Sequence, residues 1–206
     1  MIRRHTPLPA LLALAVALLT GCAGSPPVHY LSLPRPAAPA PSGAAELLVE
    51  VLPIALPERL NRPELVTRAA NGDVVVHEEA QWVAPLPDEV RQIVDDALWR
   101  QTRAADTYQA PLPAAASPLP QYRLALRLER FESGPDGADV AAAWSLRPLP
   151  AGLGAVCRAA VHLPAAGTAD ADAQAALLAQ GARRMAADVA ESLRRLHQGN
   201  AAAPCP

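Results

Sequence analysis

The chain contains no lysine. All eighteen of its basic residues are arginine, against twenty aspartates and glutamates. A nucleic-acid partner needs a basic surface, and this balance excludes that class. The all-arginine usage goes with the high alanine and proline content of a GC-rich coding bias and carries no functional weight. No apolar run is long enough to cross a bilayer, which takes roughly 20 residues. The chain also lacks a glycine-rich phosphate loop and a G-x-S-x-G nucleophile elbow. His77-Glu78-Glu79 has no second histidine at helical spacing, so it is not a zinc motif. Nothing nominates an enzyme, a metal site or a cofactor. There are only three cysteines, Cys22, Cys157 and Cys205.

The first of these follows a leader-like segment. Arg3 and Arg4 form a positive start, Leu8 to Leu19 is an apolar stretch broken only by Pro9, and the end reads Leu19-Thr20-Gly21-Cys22. An apolar stretch of that length fits the core of a secretory signal peptide. The terminal tetrapeptide resembles the bacterial lipobox, which implies diacylglycerol on the Cys22 thiol and cleavage before it. Residues 1–21 are then a signal peptide, and the protein is anchored to a membrane rather than spanning it. Ala23 stands where such lipoproteins carry aspartate for inner-membrane retention. The resemblance therefore implies the periplasmic face of the outer membrane. Loss of Arg3 and Arg4 leaves sixteen arginines against twenty carboxylates, a net charge of −4.

Residues 22–45 read as the lipidated cysteine and a Pro/Ala-rich tether, which favours extended polyproline II. Within it, Val28 to Leu33 alternates like a short strand and could dock on the domain. The Pro-Ala segment behind it would then be a surface loop. The folded domain is expected over 46–198, with a tail at 199–206. "ELLVEVLPI", "PELVTR" and "DVVVHEE" read as strands, the last two joined through Asn71-Gly72, a dipeptide favoured in tight hairpins. In "PDEVRQIVDDALWRQ" the residues Val90, Ile93, Val94, Ala97 and Leu98 fall on one helical face. Pro87, Asp88 and Glu89 suit a helix start. "QYRLALRLERFE", "VAAAWSLRP" and "LGAVCRAAVHLP" are three further strands. A long helix from Asp170 to Leu196 follows, with Leu178, Ala182, Met185, Val189, Leu193 and Leu196 as its seam. Gly181 within it costs up to about 1 kcal/mol relative to alanine, which close packing on the sheet would explain.

The order β-β-β-α-β-β-β-α, with two helices that must each bury one stripe, predicts an α+β two-layer α/β sandwich. The helices would lie on one face of a mostly antiparallel sheet. An exported chain permits disulfides. The final helix must run back along the strand before it, bringing the C-terminal tail toward Cys157, so Cys157 and Cys205 are a candidate bridge. A buried core thiol and a stray tail cysteine is the alternative.

One segment carries identity: Leu-Asn-Arg-Pro-Glu-Leu-Val-Thr-Arg, residues 60–68, followed by a hairpin and Trp82-Val83-Ala84-Pro85-Leu86 before a helix. With the lipobox, Tyr30-Leu31-Ser32-Leu33, and Trp144 in a strand before the last helix, it resembles the PqiC-type lipoproteins. These are auxiliary lipoproteins of ABC-type transport systems, including the paraquat-inducible system. The chain departs from the family pattern at Arg59, Gln81 and Ala84. The resemblance implies a non-catalytic anchor or docking subunit in lipid traffic, working with an MCE-domain protein and able to form a homo-oligomer. Leu60, Arg62, Pro63, Thr67, Arg68 and Trp82 are the candidate partner contacts. On the residues alone, Arg62 and Arg68 could equally pair with Glu58, Glu64 or Glu78, and Trp82 suits a core. A periplasmic carrier of a lipid or other hydrophobic ligand is the alternative. A large apolar cavity would favour the carrier, and a filled core with an exposed apolar rim would favour docking.

Overall fold

The computed structural model describes residues 27–33, 38–108, 118–165, 170–200 and 202–206. The signal peptide, Cys22 and the first residues of the tether lie outside the described residues. Eight strands and two long helices follow in order. They are β1 (His29–Leu31), β2 (Leu47–Val51), β3 (Glu64–Arg68), β4 (Val74–Trp82), α1 (Leu86–Thr102), β5 (Ala104–Asp106), β6 (Gln121–Gly134), β7 (Gly137–Leu149), β8 (Ala155–Pro164) and α2 (Ala171–His197). A 3-10 turn, Glu58–Leu60, precedes β3.

β6 is the spine of the sheet. Along one edge it pairs antiparallel with β7 from Gln121↔Leu149 to Gly134↔Gly137, and β7 pairs antiparallel with β8. The other edge is shared. β2 runs parallel to the start of β6, Leu48↔Gln121 to Val51↔Leu124, and β3 meets its end at Thr67↔Ser133. The sheet therefore forks into one arm of β2 and β5 and another of β3, β4 and β1. At the second junction a Cβ on Gly134 would stand 2.7 Å from the Arg68 carbonyl oxygen, so the two strands close up only because that position has no side chain. The long pairings are antiparallel, in keeping with the mostly antiparallel sheet expected, and the parallel ones are short.

The helices cover one face. The expected stripes face the core: Val90, Ile93, Val94 and Leu98 on α1 are buried and Ala97 is half-buried, and Leu178, Ala182, Met185, Val189, Leu193 and Leu196 on α2 are buried. They pack on Leu124, Leu126, Leu128, Val140, Trp144 and Leu146 of the central strands. Each such side chain contributes about 1.5–3 kcal/mol on full burial. Asp170 caps α2, its carboxylate accepting from Ala173 N at 2.7 Å. Gly181 faces the sheet, where a Cβ would lie 2.6 Å from Val140 Cγ2. The helix gives up propensity there to pack more closely.

Three details differ from the sequence reading. β1 docks as its alternation allowed, parallel to β4 with His29↔Ala80 and Leu31↔Trp82, and what differs is the boundary, since the sheet takes in residues well before 46. β5 adds a strand that three residues, Ala-Ala-Asp, could not announce by alternation. It exists because β2 offers it an edge, Leu47↔Ala104. The β3–β4 connection is a five-residue loop in which Gly72 alone takes positive φ, +89°. Asn71 serves instead as a side-chain acceptor from Asp73 N at 3.1 Å.

Candidate docking groove

At one end of the sheet the 3-10 turn, the entry to β3 and the exit from β4 converge. Leu60 N donates to Pro57 O at 2.9 Å, Asn61 N to Glu58 O at 3.1 Å, and Trp82 N to Pro63 O at 2.7 Å. These bonds hold Asn61-Arg62-Pro63 against Trp82-Val83-Ala84-Pro85. Between them lies an open groove of about 310 Å³ with Leu86 and Pro87 at its end. Its floor is core. Trp82 is 6 % exposed, and its ring stands 6.4 Å from that of Phe131. Its rim is apolar and open, with Val83 59 % exposed.

The six residues expected as contacts separate. Leu60, Thr67 and Trp82 are buried, and Thr67 Oγ1 meets His77 Nε2 at 2.8 Å. Pro63 and Arg62 are exposed on the groove. Arg62 Nε donates to Glu64 Oε2 at 2.9 Å. The Glu64 carboxyl is held below its usual range, first by its own backbone N–H and then by Arg62. Arg68 is also exposed but turns to the open sheet face. It donates to Glu132 Oε2 at 2.7 Å and to Gly72 O at 2.8 Å. Burial opposes ionisation of Glu132, yet Arg68 and Arg59 outweigh it and keep its carboxyl below the ordinary value. Two residues beyond the expected set complete the place. Val83 belongs to the rim, a role foreshadowed only by an apolar tripeptide between a strand and a helix. Glu89 accepts from Leu33 N at 2.7 Å and, with Val83 N donating to Leu31 O at 2.8 Å, secures β1 beside the groove. Sequence reading had given Glu89 only to the helix dipole.

Cys157 and Cys205 are joined as a disulfide with Cα atoms 5.5 Å apart, and Arg195 donates to Cys205 O at 2.6 Å, so the tail lies on the domain. No group of histidine, cysteine and carboxylate side chains suited to a metal occurs among the described residues. No helix among them is long and apolar enough to span a membrane.

A forked sheet with one helical layer on one face, and an open apolar groove at one end, defines an α+β domain. The family model of the ABC-type transport auxiliary lipoprotein component matches residues 29–190, and the chain belongs to that family. The match begins at the first residue of β1. Two solved structures share the fold. One, described as an uncharacterized protein, has a TM-score of 0.66 at 20% identity, covering 82% of this chain and 99% of its own. The other, a Xanthomonas campestris protein of the DUF330 family, has a TM-score of 0.59 at 20% identity, covering 84% of this chain and 98% of its own. No curated protein matches the sequence.

Proposed function

We propose that the chain is a non-catalytic docking subunit of an MCE/ABC-type intermembrane lipid transport system. Lipid on Cys22 holds it at the periplasmic face of the outer membrane. The observation that carries this reading is a filled core beside an open apolar groove. The interior space bounded by Leu60, Leu65, Trp82, Phe131 and Leu178 is about 10 Å³, room for one water at most. A small-molecule site needs roughly 300–1,000 Å³. The groove instead offers Pro63, Val83 and Pro85 to a partner surface, either an MCE-domain protein or a second copy of this chain.

The carrier reading rests on one observation, a surface cleft of about 900 Å³ between Ser32–Leu33, Ala38–Ala40 and α1. Its size suits a ligand. Its lining, with Glu89, Asp95, Asp96 and Arg100, suits an acyl chain poorly, because those charges would lose hydration without gaining partners.

The experiment is co-purification of the lipidated protein with the MCE-domain protein of its own transport system, using wild type, Val83→Asp and Pro63→Glu. Both variants are expected to lose the complex and keep the melting temperature. Undiminished association, with lipid eluting in stoichiometric amount, would instead establish the carrier.

A further inference from the structure

The sheet face turned away from the helices carries a surface of different chemistry. A bulge in β6 between Leu128 and Arg130 sets an extra residue against β7, where Leu128↔Ala142 and Arg130↔Ala141 are successive pairs. Strict alternation would send Arg130 into the core and Phe131 into solvent. With the bulge, Phe131 stays buried, and Arg127, Glu129 and Arg130 all stand on the open face. Re-aiming side chains in this way is what bulges do next to functional sites.

The neighbours of these residues are small. Arg127 lies opposite Ala143, which lies opposite Arg158 on β8. Arg130 lies opposite Ala141, which lies opposite Ala160. The result is a trough of about 380 Å³ floored by Ala141 and bounded by Leu56, Pro57 and the arginines. It shares no lining residue with the docking groove. One carboxylate serves it. Glu129 accepts from Arg127 at 2.9 Å and from Arg158 at 2.6 Å, and its carbonyl accepts from Arg59 at 3.3 Å. Arg130 is exposed and has no hydrogen-bond or ion-pair partner among the described residues. Two rows along the same face, beyond Ala125↔Ser145, Arg123 stands directly opposite Arg147. Glu50 takes Arg123 at 2.5 Å and leaves Arg147 without a partner among the described residues. Like charges directly opposite on a sheet are destabilising. Three arginines, Arg127, Arg130 and Arg158, thus line the trough around its one carboxylate, Glu129, and Arg123 and Arg147 extend the arginine surface along the same sheet face.

We propose that this trough docks an acidic segment of a partner polypeptide, laid across the β6–β8 strands. Guanidinium groups bind carboxylates through paired, charge-assisted hydrogen bonds, and the unpartnered Arg130 and Arg147 are free to make them. The alanine floor lets a polypeptide backbone descend between the arginines. A flat bilayer surface could touch only their tips. Val156, 81 % exposed on the same face of β8, adds apolar contact. The inference needs the docking reading only in requiring a partner; the groove and the trough are altered by different substitutions.

The test uses the purified full chain and a fluorescein-labelled polyglutamate peptide, read by anisotropy. Phosphatidylglycerol vesicles and inorganic phosphate are separate arms. Saturable binding is expected, weakening as salt screens the charges. Arg130→Glu with Arg147→Glu should weaken it at least ~10-fold with an unchanged melting temperature. The same charge change at the exposed Arg184 of α2 should leave it intact, as should Val83→Asp in the groove. Glu129→Gln, which releases Arg127 and Arg158, should tighten it. No peptide binding, equal loss with Arg184→Glu, or preference for the vesicles or phosphate through the same arginines would each overturn the proposal.

Discussion

At the scale of single residues, the unusual chemistry lies on the sheet side of α1. Arg91 is buried there, its guanidinium donating to the Val51 carbonyl and the Asp106 carboxylate and standing 4.9 Å from the centre of the Tyr108 ring. Asp95 lies beside this pair, with Asp95 Oδ2 3.8 Å from Arg91 Nε. Burial pushes the Asp95 carboxyl up, the Asp106 charge adds to the shift, and Arg91 opposes it, leaving a value of about 7. The side chain keeps about a third of its exposure (34%), which lets solvent screen part of that cost. The folded value is raised above the unfolded one, so the folded state holds the extra proton. Stability is unaffected below the unfolded value of about 4. It falls as pH rises from there through about 7 and is level above. Asp95→Asn should therefore raise the melting temperature at pH 8 and change it little at pH 4. An equal rise at both values would mean that packing, not charge, sets the effect. None of this was legible in the sequence. The helical periodicity marks Val90, Ile93, Val94 and Leu98 as core, but Arg91 is drawn inward by Asp106, which lies in a strand that composition does not reveal.

The elements tell a similar story about the N-terminal segment. Its Val28–Leu33 alternation reads correctly as a strand that docks, with His29–Leu31 paired to β4. What composition cannot supply is the other half of each contact. Proline has no N–H to donate, so the carbonyls of residues 38–44 need donors from elsewhere, and the end of α1 provides them. Trp99 Nε1 donates to Pro41 O at 2.6 Å, Arg100 to Ala38 O at 2.8 Å, and Arg103 to Pro41 O at 2.9 Å. Arg103 takes φ +53° to end the helix, and its guanidinium stacks 4.2 Å from the centre of the Trp99 ring. The segment is strapped to the helix rather than free. Trp99→Ala removes a donor and the stacking surface together. Limited proteolysis should then cut within residues 38–44 at least several-fold faster, while the core melts at nearly the same temperature, because Trp99 is not among the buried core residues. Unchanged cleavage would assign the strap to the backbone path alone.

For the whole molecule, the forked sheet bounds how far the domain can stand from the proposed anchor at Cys22. The two-layer sandwich was legible because both helices carry apolar stripes and β6 alternates from Tyr122 to Leu128, up to its bulge. The parallel arms were not, because pairing between β2 and β6, separated by some seventy residues of sequence, leaves no local trace. Because β1 is pinned by Glu89, by Val83 and by the contact of His29 with Asp172 at 3.0 Å, the leash from a lipidated Cys22 ends at His29. Seven residues reach at most about 25 Å, far less than a free tether of the whole Pro/Ala-rich segment. In the proposed lipidated form, the β1 edge, with Tyr30 63 % exposed, would lie near the membrane surface. Several acyl chains on one cysteine give stable attachment, whereas the domain alone has no spanning helix among its described residues. Cys22→Ala should consequently move the protein from the outer-membrane fraction to an unprocessed or soluble form. Its β-sheet and helix signals should be unchanged, since every described strand and helix of the domain lies from His29 onward. Normal recovery of Cys22→Ala in outer-membrane fractions, resistant to salt extraction, would refute the lipid anchor and with it the short-leash geometry.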